Sequence, residues 1–394
     1  MRTTNTVTTL GLGFHRYNAP QPFGIKLRDR LSHVYAIGQT GAGKSTLLGN
    51  IAMQDAAQGH GFCLIDPHGD LALKLHQKLN QPHLYWEVAD PNSPFGYNPL
   101  ASVSESFRPL VASALIDTLK KQWPEAWGAR MEHLLRFAVL ALLEQPQADL
   151  RDIVKLFVWK GFRKTVTANL SDPQSQFFWQ HEFERMNFQN AADGVAPIAN
   201  KLGAFLAHPV VRKAVCEPDQ PLKFRRLMDT GMPLIVNLAK GRLGTDVSNV
   251  LGGLLVSTIM HAAFSRHGLP ELARKPFFLH VDEFTSYTTT AFASVLSEAR
   301  KYGLGLTLAH QHIVQADKSV FEAILGNTGT QIVYRLGARD AVTFERELGF
   351  FSARDFTNLP NYRACVRLMV DGSKTQAFSA SMLPWYQPGR YGGR

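Results

Sequence analysis

Short apolar runs recur along the chain: His33-Val34-Tyr35-Ala36-Ile37, Phe62-Cys63-Leu64-Ile65, Pro233 to Leu238, Phe277 to Val281, Leu304 to Ala309 and Thr330 to Leu336. Each has the length and apolar content of a buried strand. Helix-like stretches lie among them, at Ser45 to Met53, about Asp246 to Arg266, and Phe292 to Tyr302. Strands alternating with helices predict an α/β fold with a mostly parallel sheet. The region from about Val103 to Arg226 shows no convincing strand. It carries helical periodicity instead, as in Met131, Leu134, Leu135, Ala138, Val139 and Leu142. Ser171-Asp172-Pro173 and Glu217-Pro218-Asp219 punctuate it. The last segment, Ala364 to Phe378, nearly alternates around Asp371-Gly372 and predicts a C-terminal β-hairpin. The first 25 or so residues show neither period and read as an arm. The expected organisation is therefore an arm at 1–25, an α/β core at 26–102 and 227–394, and an inserted all-α domain at 103–226.

Composition adds a partner class. The chain has 394 residues, 45% of them hydrophobic, which is ample for a large core. Lys plus Arg is 42 against 32 for Asp plus Glu, a formal net charge of +10. That balance suits a polyanionic partner, or serves solubility alone. No long Lys/Arg run concentrates the charge, so a groove or pore assembled by folding fits better than a basic tail. Cys63, Cys216 and Cys365 are scattered, with no C-x-x-C pair, so neither a disulfide framework nor a metal site is expected. A cytosolic location is the natural expectation. Met1 to Pro20 lacks the apolar run of a signal peptide. Val250 to Phe264, the longest apolar stretch, holds Ser257, Thr258 and His261 and reads as a buried core helix.

The candidate chemistry starts after the first core strand. Gly38-Gln39-Thr40-Gly41-Ala42-Gly43-Lys44-Ser45 reads G-x-x-x-x-G-K-S, followed by Thr46. Between a strand and a helix, this is the phosphate-binding P-loop pattern. Glycines let backbone N–H groups curl around phosphates. Lys44 is placed for the β- and γ-phosphates and Ser45 for Mg²⁺, with the helix N-terminus adding its dipole. The expected ligands are a nucleoside triphosphate, ATP, and Mg²⁺.

Phe277 to Glu283 is an apolar strand ending in two carboxylates, a Walker B pattern. Asp282 is expected to hold Mg²⁺ through its water shell and Glu283 to act as general base on the attacking water. Gln311 ends the Leu306 to Ala309 strand and is a candidate γ-phosphate sensor; a plain strand-end residue is the alternative. His310 and His312 flank it without a carboxylate or Cys cluster and read as structural. Asp66 and Asp70, in Asp66-Pro67-His68-Gly69-Asp70, either support the Mg²⁺ water shell or cap a turn. Arg300 either reaches a phosphate across a subunit interface or neutralises a helix C-terminus. Arg335 and Arg339 are weaker candidates of the same kind.

These motifs stand in one order with Phe23-Gly24-Ile25-Lys26, Tyr97-Asn98-Pro99-Leu100, Val281-Asp282-Glu283-Phe284, Leu296 to Gly303, Leu308-Ala309-His310-Gln311 and Gly326-Asn327-Thr328-Gly329-Thr330. The ordered set resembles the HerA/FtsK-type pumping ATPases, especially the branch of TraD/TraG conjugative coupling proteins of type IV secretion. The resemblance runs from about Phe23 to Pro384. It implies a RecA-like P-loop NTPase motor core, ring hexamers that move DNA through a central pore, and an all-α domain at the cytoplasmic mouth of the ring. By position, Lys44 and Ser45 resemble that family's phosphate and Mg²⁺ ligands, and Asp282 and Glu283 its Walker B pair. Gln311 resembles its sensor and Arg300 its arginine finger.

The departures are informative. Coupling proteins of this type begin with membrane-spanning helices, and none is read here. HerA proper carries an N-terminal β-barrel, for which the short arm leaves no room. The expectation is a bare motor plus an α-domain, cytoplasmic, or peripheral to the inner membrane through an anchoring partner. A relaxase or a nuclease is the other kind of partner implied. The leading function is an ATP-driven DNA translocase of a conjugative or mobile-element transfer system. The rivals are a protein-directed secretion ATPase and a nucleotide-gated ring scaffold for a partner effector. Lys240-Gly241-Arg242-Leu243-Gly244 is a candidate pore loop or a plain surface loop.

Overall fold

The computed structural model describes residues 6–15, 18–101, 103–186 and 188–385. The chain forms two compact units, one from residues 1–85, 224–239 and 262–394, the other from 86–223 and 240–261.

The first unit is built on a sheet. Its strands, in chain order, are β1 (Val7–His15), β2 (Asn18–Lys26), β3 (Val34–Ile37), β4 (Gly61–Asp66), β5 (Leu84–Glu87), β8 (Leu234–Asn237), β9 (Phe277–Val281), β10 (Leu304–His310), β11 (Thr330–Val333), β12 (Arg363–Arg367) and β15 (Phe378–Met382). The spatial order is β2-β1-β15-β12-β11-β3-β10-β9-β4-β8-β5. From β11 through β8 every neighbouring pair is parallel. Continuous apolar runs are what such strands need, because helices cover both faces, and β3, β4, β8, β9, β10 and β11 are buried along their whole lengths. The fold is thus α/β, with a parallel core to the sheet. Helix Lys44–Ala57 lays Leu47, Leu48, Ile51 and Ala52 into the core beside Phe62, Leu64 and Ile235. Each large apolar side chain so buried contributes roughly 1.5–3 kcal/mol.

The stretch read as an arm forms β1 and β2, an antiparallel pair joined to the sheet through β15. Two physical features hide β1 from a periodicity search. Register shifts at Thr9/Gly11 and Gly13/His15 break its alternation, and Thr8, Gly11 and Gly13 take buried positions beside Leu10. A side chain at Gly11 would meet the Ser381 carbonyl at 2.4 Å. Thr9, next to the first register shift, is satisfied by Gln54 of the P-loop helix, which accepts from its N–H at 2.8 Å and donates to its carbonyl at 2.9 Å.

The predicted C-terminal hairpin is present. Antiparallel β12 and β15 carry a two-stranded tip, β13 (Met369–Val370) and β14 (Ser373–Lys374). Its turn places Asp371 at φ 51° and Gly372 at φ 82°, as a type I′ turn requires. The buried Asp29 carboxylate accepts from both turn amides, at 2.9 and 3.1 Å.

The second unit is largely helical. Helices Arg108–Gln122, Leu150–Val158 and Phe188–Leu206 pack around helix Ala129–Leu143, which carries Leu134, Leu135, Ala138, Val139 and Leu142, residues whose spacing predicted it and which are all buried. Phe137 and Phe178 stack at 4.2 Å. Asp149 and Asp152 form a capping box at the start of Leu150–Val158. One correction belongs here. Two-residue strands β6 (Phe95–Gly96) and β7 (Gln220–Pro221) pair in parallel, so the region after Val103 is not strand-free. So short and exposed a segment, ending in proline, leaves no apolar pattern to read.

Helix Thr245–Phe264 is long and apolar enough to cross a membrane by length and composition. Val250, Leu251, Leu254, Leu255, Ile259 and Ala263 on it are all buried.

Candidate active site

Four adjacent parallel strands, β3, β10, β9 and β4, end on one edge of the sheet. Ligands bind at such carboxyl ends in open α/β sheets. The loop after β3 is Gly38 to Gly43, after β10 comes Gln311, after β9 Asp282 and Glu283, and after β4 Asp66 to Asp70. Topology therefore assembles motifs more than two hundred residues apart in sequence into one cavity of about 390 Å³. Its lining includes Thr40, Gly41, Gly43, Lys44, Ser45, Thr46, Asp66, Asp282, Glu283 and Gln311.

The loop conformation depends on glycine at two positions, Gly41 at φ 77° and Gly43 at φ 125°. Gly38 and the buried Ala42 complete the turn. The Gly38 N–H reaches the His310 carbonyl at 3.3 Å and the Gln39 N–H reaches Arg335 at 2.8 Å. Lys44 Nζ curls back to the carbonyls of Gly38 (2.6 Å) and Gln39 (3.1 Å). Burial lowers the Lys44 pKa, and Asp282 and Glu283 nearby oppose that. The lysine is thus a desolvated cation, a setting that favours an anionic ligand beside it.

Ser45 Oγ donates to Asp282 Oδ2 at 2.9 Å. Burial first, and then the charge of Asp66, pushes the Asp282 carboxyl up to about 6. A hydroxyl paired with a carboxylate, with more oxygens around them, is a donor set for a hard divalent cation such as Mg²⁺. Among the described residues no His/Cys/Asp/Glu group of three or more is arranged to cage a metal by itself.

Glu283 adopts φ 50°, ψ 42°, a left-handed conformation unusual outside glycine. This bend turns its side chain towards Gln311, whose Nε2 donates to Glu283 Oε1 at 2.8 Å. The Thr40 hydroxyl donates in turn to Gln311 Oε1 at 3.0 Å. A hydrogen-bonded chain thus runs from the P-loop to the carboxylate expected to be the base.

Asp66 is buried, and its two oxygens accept from the backbone N–H groups of His68 (3.0 Å) and Ala72 (2.9 Å). It caps the turn into helix Asp70–Lys78 and at the same time lines the cavity. Arg300 lies elsewhere. It is exposed, with Nη1 donating to Ser32 Oγ at 3.2 Å. Ser32 precedes β3, whereas the P-loop follows it, so the length of that strand, about 13 Å, separates the two. Arg300 instead lines a second cavity of about 230 Å³ with Ser297, Asn327 and Lys374. Arg335 stays near the loop, donating to Gln39 Oε1 at 3.1 Å. His310 is buried, its Nε2 hydrogen-bonded with the Tyr35 hydroxyl and its ring against Phe284.

His68, Tyr362 and Trp385 are among the cavity residues that were not singled out from sequence. His68 Nε2 lies 3.2 Å from Glu283 Oε1, the oxygen that Gln311 also contacts. Tyr362 is held at φ 62°, its N–H bonded to the Ala42 carbonyl at 2.9 Å and its carbonyl accepting from Met382 at 2.8 Å. Trp385 lines the cavity with Lys74 Nζ 4.0 Å from its ring centroid. No periodicity or spacing points to Tyr362 or Trp385, which reach the loop only through the C-terminal strands. His68 had a signal, its place in the loop after β4.

With this geometry, the backbone matches solved structures. The bacterial conjugative coupling protein TrwBdeltaN70, unbound form, aligns with TM-score 0.66 and 17% identity over 92% of this chain and 87% of that one. The two chains share one fold. TrwB in complex with ADP and Mg²⁺ aligns at TM-score 0.64 and 18% identity, over 92% of this chain and 87% of that one. VirB4 of Thermoanaerobacter pseudethanolicus aligns at TM-score 0.66 and 13% identity over 98% of each chain. No protein-family model matches the chain, and no curated protein matches it in sequence.

Proposed function

We propose that this protein is a Mg²⁺-dependent ATPase that drives DNA through a ring of its own copies in a conjugative or mobile-element transfer system. The observation that carries the ATPase reading is the Ser45–Asp282 hydrogen bond, set beside Lys44 and the Thr40–Gln311–Glu283 chain. Mg²⁺, when bound, neutralises charge on the phosphates and orients them. Ser45 and Asp282 would hold it, Asp282 through water. The P-loop amides and Lys44 bind the phosphates. Gln311 fixes one oxygen of Glu283, leaving the other to take a proton from the attacking water.

Arg300 faces away from its own P-loop, a position that suits contribution to a neighbour's nucleotide in a ring. The net charge of +10 and the solved TrwB coupling proteins support DNA as the load. The VirB4 alignment, over 98% of each chain, favours a second reading, a protein-directed type IV secretion ATPase.

The deciding experiment is the ATPase rate with and without single- and double-stranded DNA, with Lys44→Ala as blank. Stimulation by either form of DNA supports the motor. A basal rate that depends on Lys44 and ignores both forms supports the secretion ATPase. A rate that survives Lys44→Ala overturns both.

A further inference from the structure

An elbow in the helical unit joins helix Leu150–Val158 to helix Lys160–Ala168. At the bend, Val158 and Trp159 are 68% and 61% exposed, unusual for residues of their size. From Ile153 to Ser171 the sequence contains Lys155, Lys160, Arg163 and Lys164 and no Asp or Glu.

The four cations differ in what they already do. Arg163 donates to the carbonyls of Leu156 (3.1 Å) and Phe157 (2.9 Å), closing the first helix. Lys155 pairs with Asp152 at 2.8 Å. Lys160 and Lys164 are exposed, and among the described residues neither is ion-paired. The Trp159 ring lies near-parallel to Phe162, 6.3 Å between centroids and 28° between planes. A Cβ at Gly161 would sit 3.1 Å from the indole nitrogen, a tight contact that glycine avoids.

We propose that this elbow is a contact for single-stranded nucleic acid, with a base stacking on Trp159 and backbone phosphates on Lys160 and Lys164. An exposed aromatic face flanked by unpaired cations is the combination that binds single strands without reading their sequence. A membrane surface is the competing occupant, and the helix geometry disfavours it. A helix lying in a bilayer needs a continuous apolar face turned outward, whereas in Lys160–Ala168 Val166 is buried and Phe162 half-buried. The elbow lies outside the nucleotide site, and binding there requires no hydrolysis.

The test is fluorescence anisotropy of a labelled oligodeoxythymidylate with the full chain, at low salt and without nucleotide. Trp159→Ala is expected to weaken binding about tenfold, and Trp159→Phe to keep most of it. Lys160→Glu with Lys164→Glu is expected to weaken it further and to flatten the slope against salt by about two. A duplex of equal length, its bases already stacked, is expected to respond little to Trp159→Ala. All three side chains are exposed, so an unchanged melting temperature verifies the fold. Wild-type affinity in both the Trp159→Ala and the double-lysine variants overturns the proposal, as does failure of the wild type to bind the oligonucleotide. It is overturned equally if phosphatidylserine vesicles capture the wild type but not Trp159→Ala while oligonucleotide affinity stays constant. Loss of Lys44-dependent ATPase activity leaves this result untouched, so the two readings fail separately.

Discussion

Ser45 Oγ and Asp282 Oδ2 meet at 2.9 Å, joining the first turn of the P-loop helix to the end of β9. The two residues are 237 positions apart in sequence. They are neighbours because a single strand, β10, lies between β3 and β9. If this pair prepares the Mg²⁺ site, Asp282→Asn should weaken Mg²⁺ activation of hydrolysis about ten- to hundredfold. Nucleotide binding measured in EDTA should not change. Equal losses with and without Mg²⁺ would refute the assignment.

Glu283 carries the second expectation. Glu283→Gln should lower kcat by about 10²- to 10⁴-fold while ATP affinity is kept, because a base acts only in the transition state. His68 and Gln311 both contact Glu283 Oε1. His68→Ala should therefore lower kcat by about tenfold, the worth of one hydrogen bond to a charged group, without raising KM. His68→Gln, which keeps an N–H donor, should restore part of the rate. A pure KM effect would make His68 a substrate contact instead.

Arg300 and Lys44 stand at opposite ends of β3. If Arg300 serves a neighbour, Arg300→Ala should abolish turnover, a loss of about 10³-fold or more. Mixing inactive Arg300→Ala and Lys44→Ala chains should recover activity, since a site with Lys44 from one and Arg300 from the other is complete. No recovery in mixtures shown to co-assemble would place Arg300 outside the site.

The Arg30–Asp55 ion pair is buried, with Arg30 just before β3 and Asp55 in the last turn of helix Lys44–Ala57. Arg30 donates to both Asp55 oxygens and lies 3.6 Å from the centre of the Phe278 ring. His280 of β9 approaches Asp55 at 3.0 Å. Burial pushes the Asp55 carboxyl up, and Arg30 and His280 outweigh it, holding it below the usual range. Arg30→Met should destabilise the fold by about 3–5 kcal/mol in urea melts, because it strands a buried carboxylate. Changing Asp55 to Leu as well should recover part of that loss. Additive losses in the double variant would show that the pair does not couple.

Buried histidines set an acid limit. Burial pulls His33 down to about 4 and His310 down to about 3, and partial burial pulls the half-buried His261 down to about 4, from an ordinary 6.5. Below pH 6.5 the unfolded chain takes up protons that the folded chain refuses. Their contribution is therefore complete above pH 6.5 and is lost as pH falls towards 4 and below. The urea midpoint should drop across that window, and His261→Gln should flatten the drop. A midpoint constant from pH 7 to 4 would contradict the burial of these rings.

The sequence by itself determined the elements with a strong local signature. Apolar runs such as Phe277 to Val281 form strands because only a doubly covered parallel strand buries every side chain. The run from Met131 to Leu142 forms a helix because its apolar residues share one face. The P-loop is legible because a phosphate cradle needs Gly41 and Gly43 at positive φ. Tertiary structure decided what depends on neighbours. It made strands of residues 7–26, whose bulges erase the alternation and whose missing hydrogen bonds come from Gln54. It placed Arg300 at the far end of β3 from Lys44, because a parallel strand puts the residues before and after it on opposite edges. It brought Tyr362 and Trp385 to the P-loop through β12 and β15, and His68 to Glu283 through the pairing of β4 with β9. Strand order is a long-range choice, settled by how the whole sheet packs, and no local stretch of residues encodes it.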